Sequence, residues 1–152
     1  MRTLFCILLV TTSAITLTNC DQCENDDPPD DALKAFVLSP TGRNLIGDDP
    51  TQYAANSLDV TTDAGTVSFT VPYEALNDKG AFIRLIPVNA SSKKSGTIQL
   101  FLRLSQTDVD TLVVTYETNH SRCFDLLQYN SVFYNGQRMG QDGTGFYQLI
   151  KR

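Results

Sequence analysis

His120 and Cys123, in the run Asn119-His120-Ser121-Arg122-Cys123, are the residues whose types most directly suggest covalent chemistry. An imidazole that takes the proton of a thiol within hydrogen-bond reach creates a thiolate nucleophile. His120 is the only histidine in the 152 residues, and its spacing from Cys123 allows such a contact without enforcing it. A loop histidine beside a structural cysteine is the plainer reading. Carboxylate pairs come next: Asp48-Asp49, and Asp108 with Asp110, are of the type that serves as acid and nucleophile in glycoside hydrolysis. Asp108-Val109-Asp110 and Gly140-Gln141-Asp142-Gly143-Thr144-Gly145 also offer oxygens of the kind calcium takes, but neither follows EF-hand spacing. Turn formation accounts for such aspartates more simply. One His and four Cys are too few for a His-rich metal centre or a zinc ribbon, so neither metal nor cofactor is expected. Glycan-binding sandwiches usually present aromatic platforms. Without Trp, that role would fall to Tyr53, Tyr73, Tyr129, Tyr134 and Tyr147, which core packing explains better.

The remaining cysteines carry an address. Met1 and Arg2 precede an uninterrupted apolar run, Leu4 to Val10, which Thr11, Thr12, Ser13, Thr16 and Thr18 then dilute. Seven apolar residues make a signal-peptide core, whereas a spanning helix needs about 20. Two cleavage points compete, one after Ala14 and one before Cys20. Leu17-Thr18-Asn19-Cys20 resembles the lipobox of bacterial lipoproteins, with Asn19 larger than the residue usual before the cysteine. Cleavage after Ala14 would leave three cysteines, an odd set in an oxidising compartment, whereas acylation of Cys20 leaves Cys23 and Cys123 as an even pair. Each buried methylene contributes about 0.8 kcal/mol, so two or three acyl chains at Cys20 would hold the protein on a membrane without a spanning helix.

Residues 21–31 contain six carboxylates and no basic residue. Such a segment buries too little to order itself and, stiffened by Pro28-Pro29, reads as a tether with on the order of 35 Å of reach. From Ala32 onward the eleven basic residues left after Arg2 balance the eleven acidic ones, so the body is formally neutral. No basic stripe points to nucleic acid. A bridge between Cys23 and Cys123 would close a loop of about 100 residues, worth on the order of 4 to 5 kcal/mol in the chain-entropy model. Two free thiols are the alternative.

The body alternates with a period of two. Ile98, Leu100, Leu102 and Leu104 point one way while Gln99, Phe101 and Arg103 point the other, and Leu112, Val114 and Tyr116 alternate with Val113 and Thr115. Turn clusters recur at Ser39 to Gly42, Asp63 to Gly65, Asn77 to Gly80, Ser91 to Gly96 and Asn135-Gly136. The Asn-Gly pair predicts a two-residue hairpin joining strands 129–134 and 137–139. Other strands are expected at 33–38, 43–46, 57–61, 66–72, 81–88, 97–104, 111–118 and 146–151, with one helical turn near Asp125 to Gln128. The expected fold is all-β: an antiparallel two-sheet sandwich of immunoglobulin-like or related topology, with a barrel as runner-up.

Taken together, Leu17 to Cys20, Cys23, the acidic spacer, the run Asp108 to Tyr116, Cys123 and Tyr134-Asn135-Gly136 make the chain resemble the small uncharacterised lipoproteins of Bacteroidota. Acidic residues after the anchoring cysteine are similar to the export signals that send such lipoproteins to the outer membrane. The expected organisation is therefore a signal peptide over 1–19, a tether over 20–31 and one sandwich domain over 32–152. The expected function is that of a lipid-anchored envelope protein, a non-catalytic binding or scaffolding domain with a protein or glycan partner. The alternative is a small envelope hydrolase using carboxylates or the His120 and Cys123 pair.

Overall fold

The computed structural model describes residues 27, 30–63, 65, 66, 69–71, 73, 74, 80–86, 95–120 and 123–152, and the statements below concern these. The strands are β1 (Leu33–Leu38), β2 (Asp59–Thr62), β3 (Gly65–Thr66), β4 (Phe69–Thr70), β5 (Tyr73–Glu74), β6 (Gly80–Ala81), β7 (Ile83–Leu85), β8 (Ser95–Arg103), β9 (Val109–His120), β10 (Asp125–Tyr134), β11 (Gln137–Met139) and β12 (Tyr147–Ile150). Ala55–Ser57 form a single 3-10 turn. A six-stranded sheet has the order β11-β10-β9-β8-β2-β3, and a four-stranded sheet has the order β12-β1-β7-β4. The protein is an all-β sandwich.

Alternation decides which side chains meet between the sheets. Leu100, Leu102, Leu112, Val114 and Val132 project from the six-stranded sheet, and Leu33, Ala35, Val37, Ile83 and Leu149 from the four-stranded one, into a common core. Burying each of these side chains contributes about 1.5–3 kcal/mol. The central strand β1 is covered on both faces, as its near-continuous apolar run Leu33-Lys34-Ala35-Phe36-Val37-Leu38 requires. Its second face carries Phe36, fully buried with Phe82 and Phe146; Phe36 stacks on Phe146 at 4.9 Å, and Phe82 meets Phe146 edge-on at 4.9 Å.

Several local expectations change. Residues 43–46 form only isolated bridges at Asn44 and Ile46, because the chain turns at Gly42 and again at Gly47 to Thr51. Where single strands are expected at 66–72 and 81–88, Thr66 belongs to the six-stranded sheet and Phe69–Thr70 to the four-stranded one, and Val71, Phe82 and Ile86 lie outside the strands. The helical turn near Asp125 to Gln128 is absent: these residues pair with Glu117 to His120, lengthening the β9–β10 hairpin. A bulge between Tyr129 and Ser131 shifts the register there. It lets Tyr129 and Val132, three residues apart, both face the core. The pair β1–β12 runs parallel, since strands from opposite ends of the body need no hairpin between them. Asn135 and Gly136 do form the hairpin turn, with φ of 48° and 79°.

Candidate functional site

The densest polar cluster lies where β12 ends beside the start of β9. Alternation turns Asp110 inward, leaving it 5% exposed. Its carboxylate accepts from Tyr134 Oη at 2.5 Å, Asn135 Nδ2 at 2.7 Å and Lys151 Nζ at 2.7 Å. The same ammonium donates to Asp108 Oδ1 at 2.7 Å, and Tyr53 Oη donates to Asp108 Oδ2 at 2.5 Å. Asn135 also closes the hairpin onto β9, accepting from Thr111 N at 2.9 Å and donating its own N–H to Thr111 O at 2.8 Å. One turn residue thus serves the backbone and the buried carboxylate together.

The electrostatics follow from this wiring. Burial alone would raise the Asp108 carboxyl, but hydrogen bonds from Lys151 and Tyr53 outweigh it and hold the group below the usual range. Burial would lower the Lys151 ammonium, yet its bonds to Asp108 and Asp110 raise it on balance. Burial, reinforced by Asp110, pushes the Tyr134 phenol up. These directions describe a charge-paired lock. The ammonium fills the space between Asp108 and Asp110 that a glycosidic oxygen or a calcium ion would need. Among the described residues, no group of three or more His, Cys, Asp or Glu side chains is arranged to hold a metal ion.

The second candidate does not survive as a nucleophile. Cys123 is disulfide-bonded, so its sulfur is not available as a thiolate, and the alternative of a catalytic His120 and Cys123 pair is corrected on that ground. His120 Nδ1 instead meets Asp125 Oδ1 at 2.5 Å across the hairpin, both side chains 58% exposed. Cys6, Cys20 and Cys23 lie outside the described residues.

Other aspartates organise turns. Asp142 Oδ1 accepts from Thr144 N at 3.0 Å, Thr144 Oγ1 at 2.6 Å and Phe146 N at 3.1 Å. Asp49 Oδ1 accepts from Thr51 N at 2.8 Å and Thr51 Oγ1 at 2.6 Å. Asp48 is exposed. Asp30 and Asp31, grouped with the tether by composition, hold fixed places on the body. Asp30 binds Lys34 and Arg84, at 2.8 and 2.7 Å, which lowers its carboxyl to about 2. Asp31 Oδ2 accepts from Leu127 N at 3.2 Å, and its carbonyl accepts from Tyr129 Oη at 2.8 Å.

The tyrosines weighed as platforms turn inward, as the core-packing reading expects: Tyr134 and Tyr147 are buried, and Tyr53 and Tyr129 pack against the core. The side chain of Tyr73 lies outside the described residues. Sequence reasoning missed Lys151 as the centre of the polar cluster. Its only signal was a lone lysine after the alternating run Tyr147 to Ile150. The fold and site together define a small all-β sandwich with a partly buried ion cluster at one end. Comparison with family models, curated proteins and solved structures finds no match to the chain.

Proposed function

We propose that this protein is a lipid-anchored domain of the cell envelope, acylated at Cys20 and working as a non-catalytic binding or scaffolding module at the outer membrane. The observation that carries the reading is the disulfide at Cys123. Disulfides form and persist in oxidising compartments outside the cytosol, which supports export. The described residues contain no second cysteine, leaving Cys6, Cys20 and Cys23 as possible partners. Removal of Cys6 with the leader and acylation of Cys20 assign the bond to Cys23.

The contacts of Asp31 support that assignment. They set the entering chain beside Leu127 and Tyr129 of β10, the strand that begins two residues after Cys123. Asp31 lies eight residue steps after Cys23, an extended reach of at most about 28 Å. A Cys23–Cys123 bond would leave only Asp21 and Gln22 free between lipid and body, holding the sandwich close to the membrane. A hydrolase finds less support, because Lys151 neutralises the paired carboxylates and the disulfide removes the thiol. Labelling with a fatty-acid probe tests the anchor. Wild type should incorporate the probe and Cys20→Ala should not; equal incorporation by both would overturn the assignment.

A further inference from the structure

The outer face of the six-stranded sheet differs in character from the rest of the body. Gln99, Val113, Phe133 and Arg138 stand in one register row across β8, β9, β10 and β11. Phe101 lies on β8, one register step from that row, opposite Thr111. Phe101, Val113 and Phe133 are half-buried, as expected for side chains flanked by neighbouring strands with no layer above them among the described residues, while Gln99, Arg103 and Arg138 are exposed. Val109, facing the same way, is 46% exposed. With strands about 4.8 Å apart, Phe101 and Phe133 are roughly 12 Å from one another, a distance that a short oligosaccharide spans.

We propose that this face binds an acidic polysaccharide, with sugar rings stacked on Phe101 and Phe133 and their carboxylates or sulfates held by Arg138 and Arg103. Aromatic rings offer an apolar surface to the C–H face of a sugar, and Gln99 and Thr111 supply amide and hydroxyl groups for its hydroxyls. Arginine matches planar anions with paired donors. Arg138 and Arg103 make no ion pair among the described residues, so their charge is available; Asp59 stands across from Arg103, and Glu117 lies on the same face two register steps beyond Val113. The apolar centre, three half-buried side chains, is small for a stable protein interface.

The inference rests on reading the body as a binding domain, and not on the lipid anchor. Its test is affinity electrophoresis of the full mature chain, in detergent, through gels containing polygalacturonate, dextran sulfate or neutral dextran. The acidic polymers should retard the protein and neutral dextran should not. Arg138→Ala should weaken the interaction by about tenfold, as expected for loss of a charge-assisted contact. Phe133→Thr should do likewise with an unchanged melting temperature. Should that variant unfold, Arg103→Ala, an exposed change, takes its place. No retardation, equal retardation by neutral dextran, or retardation unaltered in every variant would overturn the proposal, as would self-association lost in the same variants without polymer binding. Cys20→Ala should leave retardation unchanged, so loss of the anchor and loss of the sugar site are read separately.

Discussion

Replacing Asp110 by Ala removes the acceptor of three hydrogen bonds at once, those from Tyr134, Asn135 and Lys151. Tyr134, 1% exposed, is left with a hydroxyl lacking its partner, at a cost of about 1–3 kcal/mol. Lys151, with its side chain 18% exposed, keeps only Asp108. Breaking a buried ion pair on one side costs about 3–5 kcal/mol, and the two effects overlap in one network, so about 3–5 kcal/mol is expected in all. For a body of this size that is a fall of roughly 10–20 °C in melting temperature. Asp125→Ala supplies the contrast. It breaks the contact with His120, in which both side chains are 58% exposed, and even a charged pair so exposed contributes at most about 1 kcal/mol. Urea denaturation of the two variants beside wild type measures the difference. The reasoning is refuted if Asp110→Ala lies within 1 kcal/mol of wild type, or if Asp125→Ala costs as much.

Three further outcomes follow from the same geometry. Gly136→Ala, at φ 79° with open space around the added methyl, should cost about 1–2 kcal/mol from backbone conformation alone, measurable by thermal melting. Phe36→Ala opens the aromatic cluster of Phe82 and Phe146 and should cost about 3–5 kcal/mol in the same assay, whereas Val109→Ala should change stability by less than about 0.5 kcal/mol. Asp30 and Asp108 both titrate below their ordinary 3.8, the first near 2. A depressed carboxyl stabilises the fold above its unfolded value and loses that contribution as pH falls through its folded one, so stability should drop between about pH 4 and pH 2. Asp30 is 39% exposed, and after solvent screening its share is about 1 kcal/mol; Asp30→Asn should flatten that part of the pH profile.

The fold was legible where one face of a strand is buried. Ile98, Leu100 and Leu102 against Gln99, Phe101 and Arg103 showed both the core and the outer face of β8, and Asn135-Gly136 showed its turn. Asp125-Leu126-Leu127-Gln128 misled because it lacks β-branched residues. Pairing with Glu117 to His120 sets its conformation, and local propensity does not record that pairing. The buried cluster was invisible for a related reason. Lys151 and Asp110 are 41 positions apart, and only the parallel docking of β12 on β1 brings them to one end of the sandwich. Asp30 and Asp31 were grouped by composition with their acidic neighbours, yet Lys34, Arg84, Leu127 and Tyr129 claim them.

Proteolysis of the native envelope protein without reductant, followed by mass analysis of the peptides, addresses the central claim most directly. The account predicts an amino-terminal Cys20 carrying acyl chains, and a Cys23 peptide linked to the Cys123 peptide that separates on reduction. An unmodified Cys20 bonded to Cys123, or a mature chain that begins at Ile15, would contradict it.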